Sequence, residues 1–102
     1  MASSRIVLIT GGNNGIGYET VKALMQSSRT YRIFLGSRSL EKAKSAMDTL
    51  KTECKESKST VEALQVDLTS DNSIEEAFKQ VEASSGHIDT LINNAGEELF
   101  RV

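Results

Sequence analysis

The chain has 102 residues, 38% of them hydrophobic and 25% charged, with a formal net charge of −2. That length fits one domain with a modest core, and the balance is that of an ordinary folded protein. A slight acidic excess argues against a nucleic-acid surface, which needs clustered cations.

In chain order, the first apolar run is Ile6–Ile9, too short for a signal-peptide core or a membrane span. It reads as a strand, and the default expectation is a cytoplasmic protein with no membrane partner. The run leads directly into Thr10-Gly11-Gly12-Asn13-Asn14-Gly15-Ile16-Gly17. After Gly15, the residues Ile16, Thr20, Ala23 and Leu24 share one face of an expected helix. The second strand is Ile33–Leu35, followed by Gly36-Ser37-Arg38-Ser39. The next helix shows the stripe Leu40, Ala43, Met47, Leu50 and Cys54. Cys54 is the single cysteine, so no internal disulfide forms, which suits a reducing compartment. Its place on the stripe makes it a packing residue.

The third strand is Leu64–Val66, with Asp67-Leu68 at its end. A polar cluster, Thr69–Ser73, supplies an N-cap for a helix whose face is Ile74, Ala77, Phe78 and Val81. Gly86 closes that helix. His87, the single histidine, has no acidic or cysteine partner at metal-ligand spacing and reads as a loop residue. The fourth strand is Leu91–Ile92, and Asn93-Asn94-Ala95-Gly96 follows it. The last residues, Glu97 to Val102, match no motif.

Strands alternating with helices predict right-handed crossovers and a parallel sheet. Continuous apolar strands predict a sheet covered on both faces. The competing architecture is an antiparallel α+β domain, disfavoured because no Asn-Gly hairpin turn joins two strands directly.

The glycine loop is the sharpest feature. Gly11 allows a tight turn off the strand, Gly15 leaves room for a pyrophosphate at the backbone, and Gly17 allows close helix–sheet packing. Amides at the helix start favour an anion there. A bare glycine-rich stretch is weak evidence, and a turn in another α/β domain, such as one binding S-adenosylmethionine, has the same composition. Placement between a strand and a helix strengthens the cofactor reading.

The pattern Thr10 to Gly17 resembles the fingerprint of short-chain dehydrogenases/reductases, and of carbonyl-reductase-like members in particular. Asn93-Asn94-Ala95-Gly96 and Asp67-Leu68 resemble two further motifs of that family, in the same order. The resemblance runs from Arg5 to Gly96. It implies a Rossmann-type α/β fold with strand order 3-2-1-4 and flanking helices, here expected to stop after the fourth strand. It implies that Asp67 accepts a hydrogen bond from the adenine, with Leu68 beside it. It also implies that Asn93 and Asn94 floor the adenosine ribose, while Ala95 and Gly96 allow close approach. The bland alternatives are that Asp67 begins a turn and that Asn93–Gly96 only ends a strand.

The end of the second strand decides between cofactors. An acid there bonds the ribose of NAD and repels a 2′-phosphate. This chain offers Arg38, a planar and permanently charged donor, flanked by the hydroxyls of Ser37 and Ser39. The expectation is NADP(H). As a purely structural residue Arg38 is less satisfactory, because a cation at a helix start opposes the helix dipole. Asn14 stands where some family members carry a second basic residue.

The family reaction transfers a hydride between nicotinamide and a small carbonyl or alcohol substrate. Its tyrosine, lysine, serine and asparagine lie downstream of Asn-Asn-Ala-Gly, so the expectation is cofactor binding with the catalytic half absent. Tyr18 and Lys22 have the tyrosine–lysine spacing but sit in the helix after the glycine loop, and read as helix-surface residues. A second hypothesis is a non-catalytic nucleotide-binding or interaction module that pairs with full-length subunits. An unpaired sheet edge and exposed apolar surface beside the fourth strand predict a homo-oligomer such as a dimer, a partner fragment, or marginal stability.

Overall fold

The computed structural model describes residues 4–11, 15–67 and 71–93. Seven elements alternate: β1 (Arg5–Thr10), α1 (Gly15–Gln26), β2 (Tyr31–Ser37), α2 (Leu40–Glu53), β3 (Thr60–Gln65), α3 (Asp71–Ser85) and β4 (Thr90–Asn93). The four strands form one parallel sheet in the order β3-β2-β1-β4. This is the α/β, Rossmann-type order that the resemblance implies.

Alternating side chains on the central strands divide the core into two layers. Val7, Ile9, Ile33 and Leu35 point to one face and pack under Val21 and Met25 of α1 and Ala43, Ala46 and Leu50 of α2. Ile6, Leu8 and Phe34 point to the other face and pack under Ala77 and Val81 of α3. Helices on both faces explain why β1 and β2 are almost uniformly buried beyond their first residues. β3 is an edge strand and alternates instead, with Glu62 exposed between Val61 and Leu64. Its first four residues, Thr60–Ala63, lack a continuous apolar run, so the sequence pattern marks only its end.

Two helical faces differ from expectation. In α1 the buried positions are Gly17, Val21 and Met25, whereas Ala23 is exposed and Thr20 is half-buried. Apolar residues occur nearly all round α1, so spacing alone admits more than one face. In α3, Ala77 and Val81 are buried, but Phe78 lies on the flank and is 36% exposed. In α2, Ala43, Leu50 and Cys54 are buried as expected, joined by Ala46, while Met47 is partly buried.

The helix ends follow local chemistry. The Ser39 hydroxyl caps α2 by accepting from the Lys42 amide at 3.2 Å. Gly86 closes α3 with φ of 86°, and its amide donates to the Glu82 carbonyl. No basic residue stands in the last turn of α3. Arg32 of β2 supplies the cation, its guanidinium donating to the Ser84 carbonyl and hydroxyl, both at 3.1 Å. The same group pairs with Glu62 at 3.1 Å and lies over the Phe34 ring, 5.3 Å from its centre.

Candidate functional site

Because the strands are parallel, their carboxyl ends meet at one rim. Register pairs Thr10 with Gly36 of β2 on one side and with Asn93 of β4 on the other, and pairs Ser37 with Gln65 of β3. Strand order reverses at β1, between β2 and β4. Outside that point lies the crevice where open α/β sheets accept ligands.

At this rim β1 ends at buried Thr10, and Gly11 turns the chain with φ of 74°. That backbone region strains any residue with a Cβ. The Gly11 amide donates to the Gly36 carbonyl at 2.8 Å, so it fastens the turn and is not itself directed at an anion. Gly12, Asn13 and Asn14 lie outside the described residues. Gly15 opens α1 with φ of 52° and open space where a Cβ would stand. Gly17 is buried in the first turn of α1.

β2 brings a close approach that the sequence reading did not single out. A Cβ on Gly36 would meet Val66 Cγ1 at 2.7 Å and the Ile9 carbonyl at 3.3 Å. Its signal was present, because a glycine inside a strand marks close contact with a neighbour. After it, Ser37 is buried and its hydroxyl accepts from the Ser39 amide at 3.2 Å. Arg38 is exposed between them. Among the described residues, no carboxylate lies within ion-pair distance of its guanidinium.

Beyond β3, Asp67 is half-buried and its amide donates to the Ser73 hydroxyl at 2.8 Å, tying the strand end to the first turn of α3. Leu68 lies outside the described residues. Asn93 ends β4 beside Thr10. Asn94, Ala95 and Gly96 lie outside the described residues. The rim therefore gathers Gly11, Gly15, Ser37, Arg38, Asp67 and Asn93 from four strand ends, with α1 starting at the reversal point.

Tyr18 and Lys22 take a different part. The Tyr18 hydroxyl donates to Glu53 Oε1 at 2.7 Å, and Lys22 Nζ lies 3.5 Å from the same oxygen. Both residues of α1 thus close on the last residue of α2. Burial, followed by the bond to Glu53, pushes the Tyr18 phenol up to about 12. A tyrosine that exchanges protons near neutral pH needs the opposite shift. Glu53 is the partner that spacing within α1 does not reveal.

His87 has an acidic neighbour after all. Its Nε2 lies 3.2 Å from Asp89 Oδ2, which also accepts from the Ile6 amide at 2.8 Å. Among the described residues no group of three or more His, Cys, Asp or Glu is placed to hold a metal. Cys54 is buried in the α1–α2 layer and caps α2. Among the described residues, no helix is long and apolar enough to cross a membrane.

A groove of about 600 Å³ opens at the opposite rim, lined by Met25, Thr30, Glu53, Cys54, Lys55 and Lys58 among others. It lies at the amino ends of β2 and β3, away from the glycine turn. The residues at the strand carboxyl ends do not line it.

Comparison with known proteins points to one family. The family model described as short chain dehydrogenase matches residues 5–101. The short-chain dehydrogenase/reductase tropE of Talaromyces stipitatus is 41% identical over 99 residues, spanning 97% of this chain and 37% of that protein. A (+)-neomenthol dehydrogenase of Capsicum annuum is 36% identical over 94 residues, spanning 92% of this chain and 29% of that protein. Among solved structures, menthone neomenthol reductase from Mentha piperita matches with a TM-score of 0.84 at 30% identity, covering 93% of this chain and 32% of that one. L-sorbose reductase from Gluconobacter frateurii, solved with NADPH and L-sorbose, matches with a TM-score of 0.80 at 25% identity, covering 98% of this chain and 36% of that one. The chain spans about a third of the length of the curated relatives it matches.

Proposed function

The chain belongs to the short-chain dehydrogenase family, and on that footing we propose that its 102 residues form one NADP(H)-binding domain of an oxidoreductase acting on a carbonyl or an alcohol. The observation that carries the cofactor choice is Arg38. It is an exposed guanidinium at the end of β2, without a described carboxylate partner, in the place where an acid would repel a 2′-phosphate. Solved relatives named as NADPH-dependent or as complexes with NADP(H) support the same choice.

The residues at the rim fit such a ligand. Gly11 turns the chain at the end of β1, and Gly15, Ile16 and Gly17 start the helix whose amides would face the pyrophosphate, with Asn13 and Asn14 before it in the sequence. Arg38, with Ser37 beside it, would hold the 2′-phosphate. Asp67 and Leu68 would bracket the adenine, and Asn93 to Gly96 would line the ribose. When bound, the cofactor supplies the hydride. The proton donor of the family reaction has no counterpart at a matching place in these residues, since Tyr18 and Lys22 are committed to Glu53. The 102 residues alone are therefore expected to bind without turnover, and detectable NADPH-dependent reduction of a reactive carbonyl by the pure chain would refute that.

The cofactor reading is tested by fluorescence titration with NADPH and NADH. Arg38→Asp is expected to weaken NADPH by about 100-fold, the sum of a lost charge-assisted contact and a new repulsion. NADH should change by less than about threefold, because its ribose carries no phosphate to lose. Equal losses for both cofactors would sink the assignment.

A further inference from the structure

The turn that presents Arg38 is held from β3. The Ser37 carbonyl accepts from the Val66 amide at 2.9 Å, and the Ser37 hydroxyl accepts from the Ser39 amide at 3.2 Å. Between these, the Arg38 carbonyl accepts from Gln65 Nε2 at 3.2 Å. Gln65 is the last residue of β3, stands opposite Ser37 in the register, and is exposed. Its side chain does no core packing. Among the described contacts, its amide is the one side-chain group that grips the backbone of Arg38 itself.

We propose that Gln65 is a positioning residue for cofactor discrimination. By fixing the Arg38 peptide, it restricts the arc from which the guanidinium swings toward a 2′-phosphate. The inference rests on the reading of Arg38 given above. A long cation on an untethered turn pays more ordering entropy for each phosphate bond than one on a fixed turn. Loss of the tether therefore weakens a 2′-phosphorylated ligand and leaves an unphosphorylated one unchanged. A residue that merely supports the fold would weaken both.

The test uses the full chain and two small probes in calorimetric titrations, adenosine 2′,5′-bisphosphate and adenosine 5′-monophosphate. Gln65→Met keeps the length of the side chain and removes the donor. It is expected to weaken the bisphosphate by about threefold to tenfold, the range of one neutral hydrogen bond. The monophosphate should stay within about twofold, and the melting temperature within about 2 °C. Adding Arg38→Ala should abolish the effect of Gln65→Met, because the tether has nothing left to aim. Without ligand, the Ser39 amide resonance should shift in Gln65→Met, since its peptide carries the Arg38 carbonyl.

Equal weakening of both probes, or unchanged bisphosphate binding with selective loss in Arg38→Ala, overturns the role of Gln65 and leaves the cofactor reading standing. Arg38→Ala without selective loss overturns the cofactor reading and this role with it. Failure of the unsubstituted chain to bind either probe does the same.

Discussion

At the rim where the strands begin, charged side chains close on one another. Arg32 joins Glu62, Ser84 and the Phe34 ring, and Asp89 joins His87 and the Ile6 amide. The buried Ser59 hydroxyl accepts from the Tyr31 amide at 2.8 Å. At the rim where the strands end, Gly11 and Gly36 carry no side chain, and Arg38 reaches out with no described carboxylate beside it. The first rim spends its polar groups on holding elements together. The second also ties its backbone together, through Gly11, Ser37 and Arg38, but leaves the Arg38 guanidinium without a described carboxylate. A groove of about 600 Å³ lies at the first rim, so the uncompensated charge of Arg38 is a better guide to the ligand than cavity volume.

Substitutions at the two rims should separate in kind as well as in size. The largest effect on stability is expected at Gly36. Gly36→Ala puts a methyl against the β-branched Val66, with the Ile9 carbonyl close behind, which should cost about 1–3 kcal/mol in urea unfolding. The cost should shrink in a Val66→Ala background. Simple additivity of the two would show that the contact is not the cause. Arg32→Ala, at the opposite rim, should cost about 1 kcal/mol, because its ion pair is half-exposed and its stacking is modest. NADPH titration of that variant should match the unsubstituted chain, and a selective loss of NADPH affinity would break the division between the rims.

The smallest effect is expected from Asp89→Asn, which keeps an acceptor for Ile6 and removes a titrating group. The Ile6 amide, aided by His87, holds the Asp89 carboxyl below its ordinary value. A lowered carboxyl adds stability that is present above about pH 4 and lost as pH falls through the lowered value. The melting temperature of Asp89→Asn should therefore fall less steeply below pH 4 than that of the unsubstituted chain. Parallel acid limbs would remove Asp89 from the account.

Much of the architecture was legible in the sequence because β1 and β2 are buried on both faces, and such strands must read as apolar runs. The start of β3 was not, because an edge strand with Glu62 facing out keeps only half the signal. The face of α1 was misjudged where Ile16, Val21, Ala23, Leu24 and Met25 offer two apolar stripes, and packing against β1 and β2 selects the one through Val21 and Met25. At the candidate site, residue types announced themselves while their tethers did not. Arg38 stood out as a cation replacing an acid. Gln65, Glu53 and the Gly36 contact depend on elements distant in sequence, and no local spacing encodes them.

The pairing of β1 predicts an order of events for folding, which pulse-labelled hydrogen exchange would read. Its residues must find two partners at very different distances along the chain. Val7 sits beside Ile33 on one side and beside Thr90 on the other. The nearer partner closes a short loop through α1, while the farther one carries the larger loop-closure cost and is expected to pair later. The crevice at the reversal point is bounded by that late partner. The β1–β2 pairing is therefore expected to form before the crevice gains its β4 side.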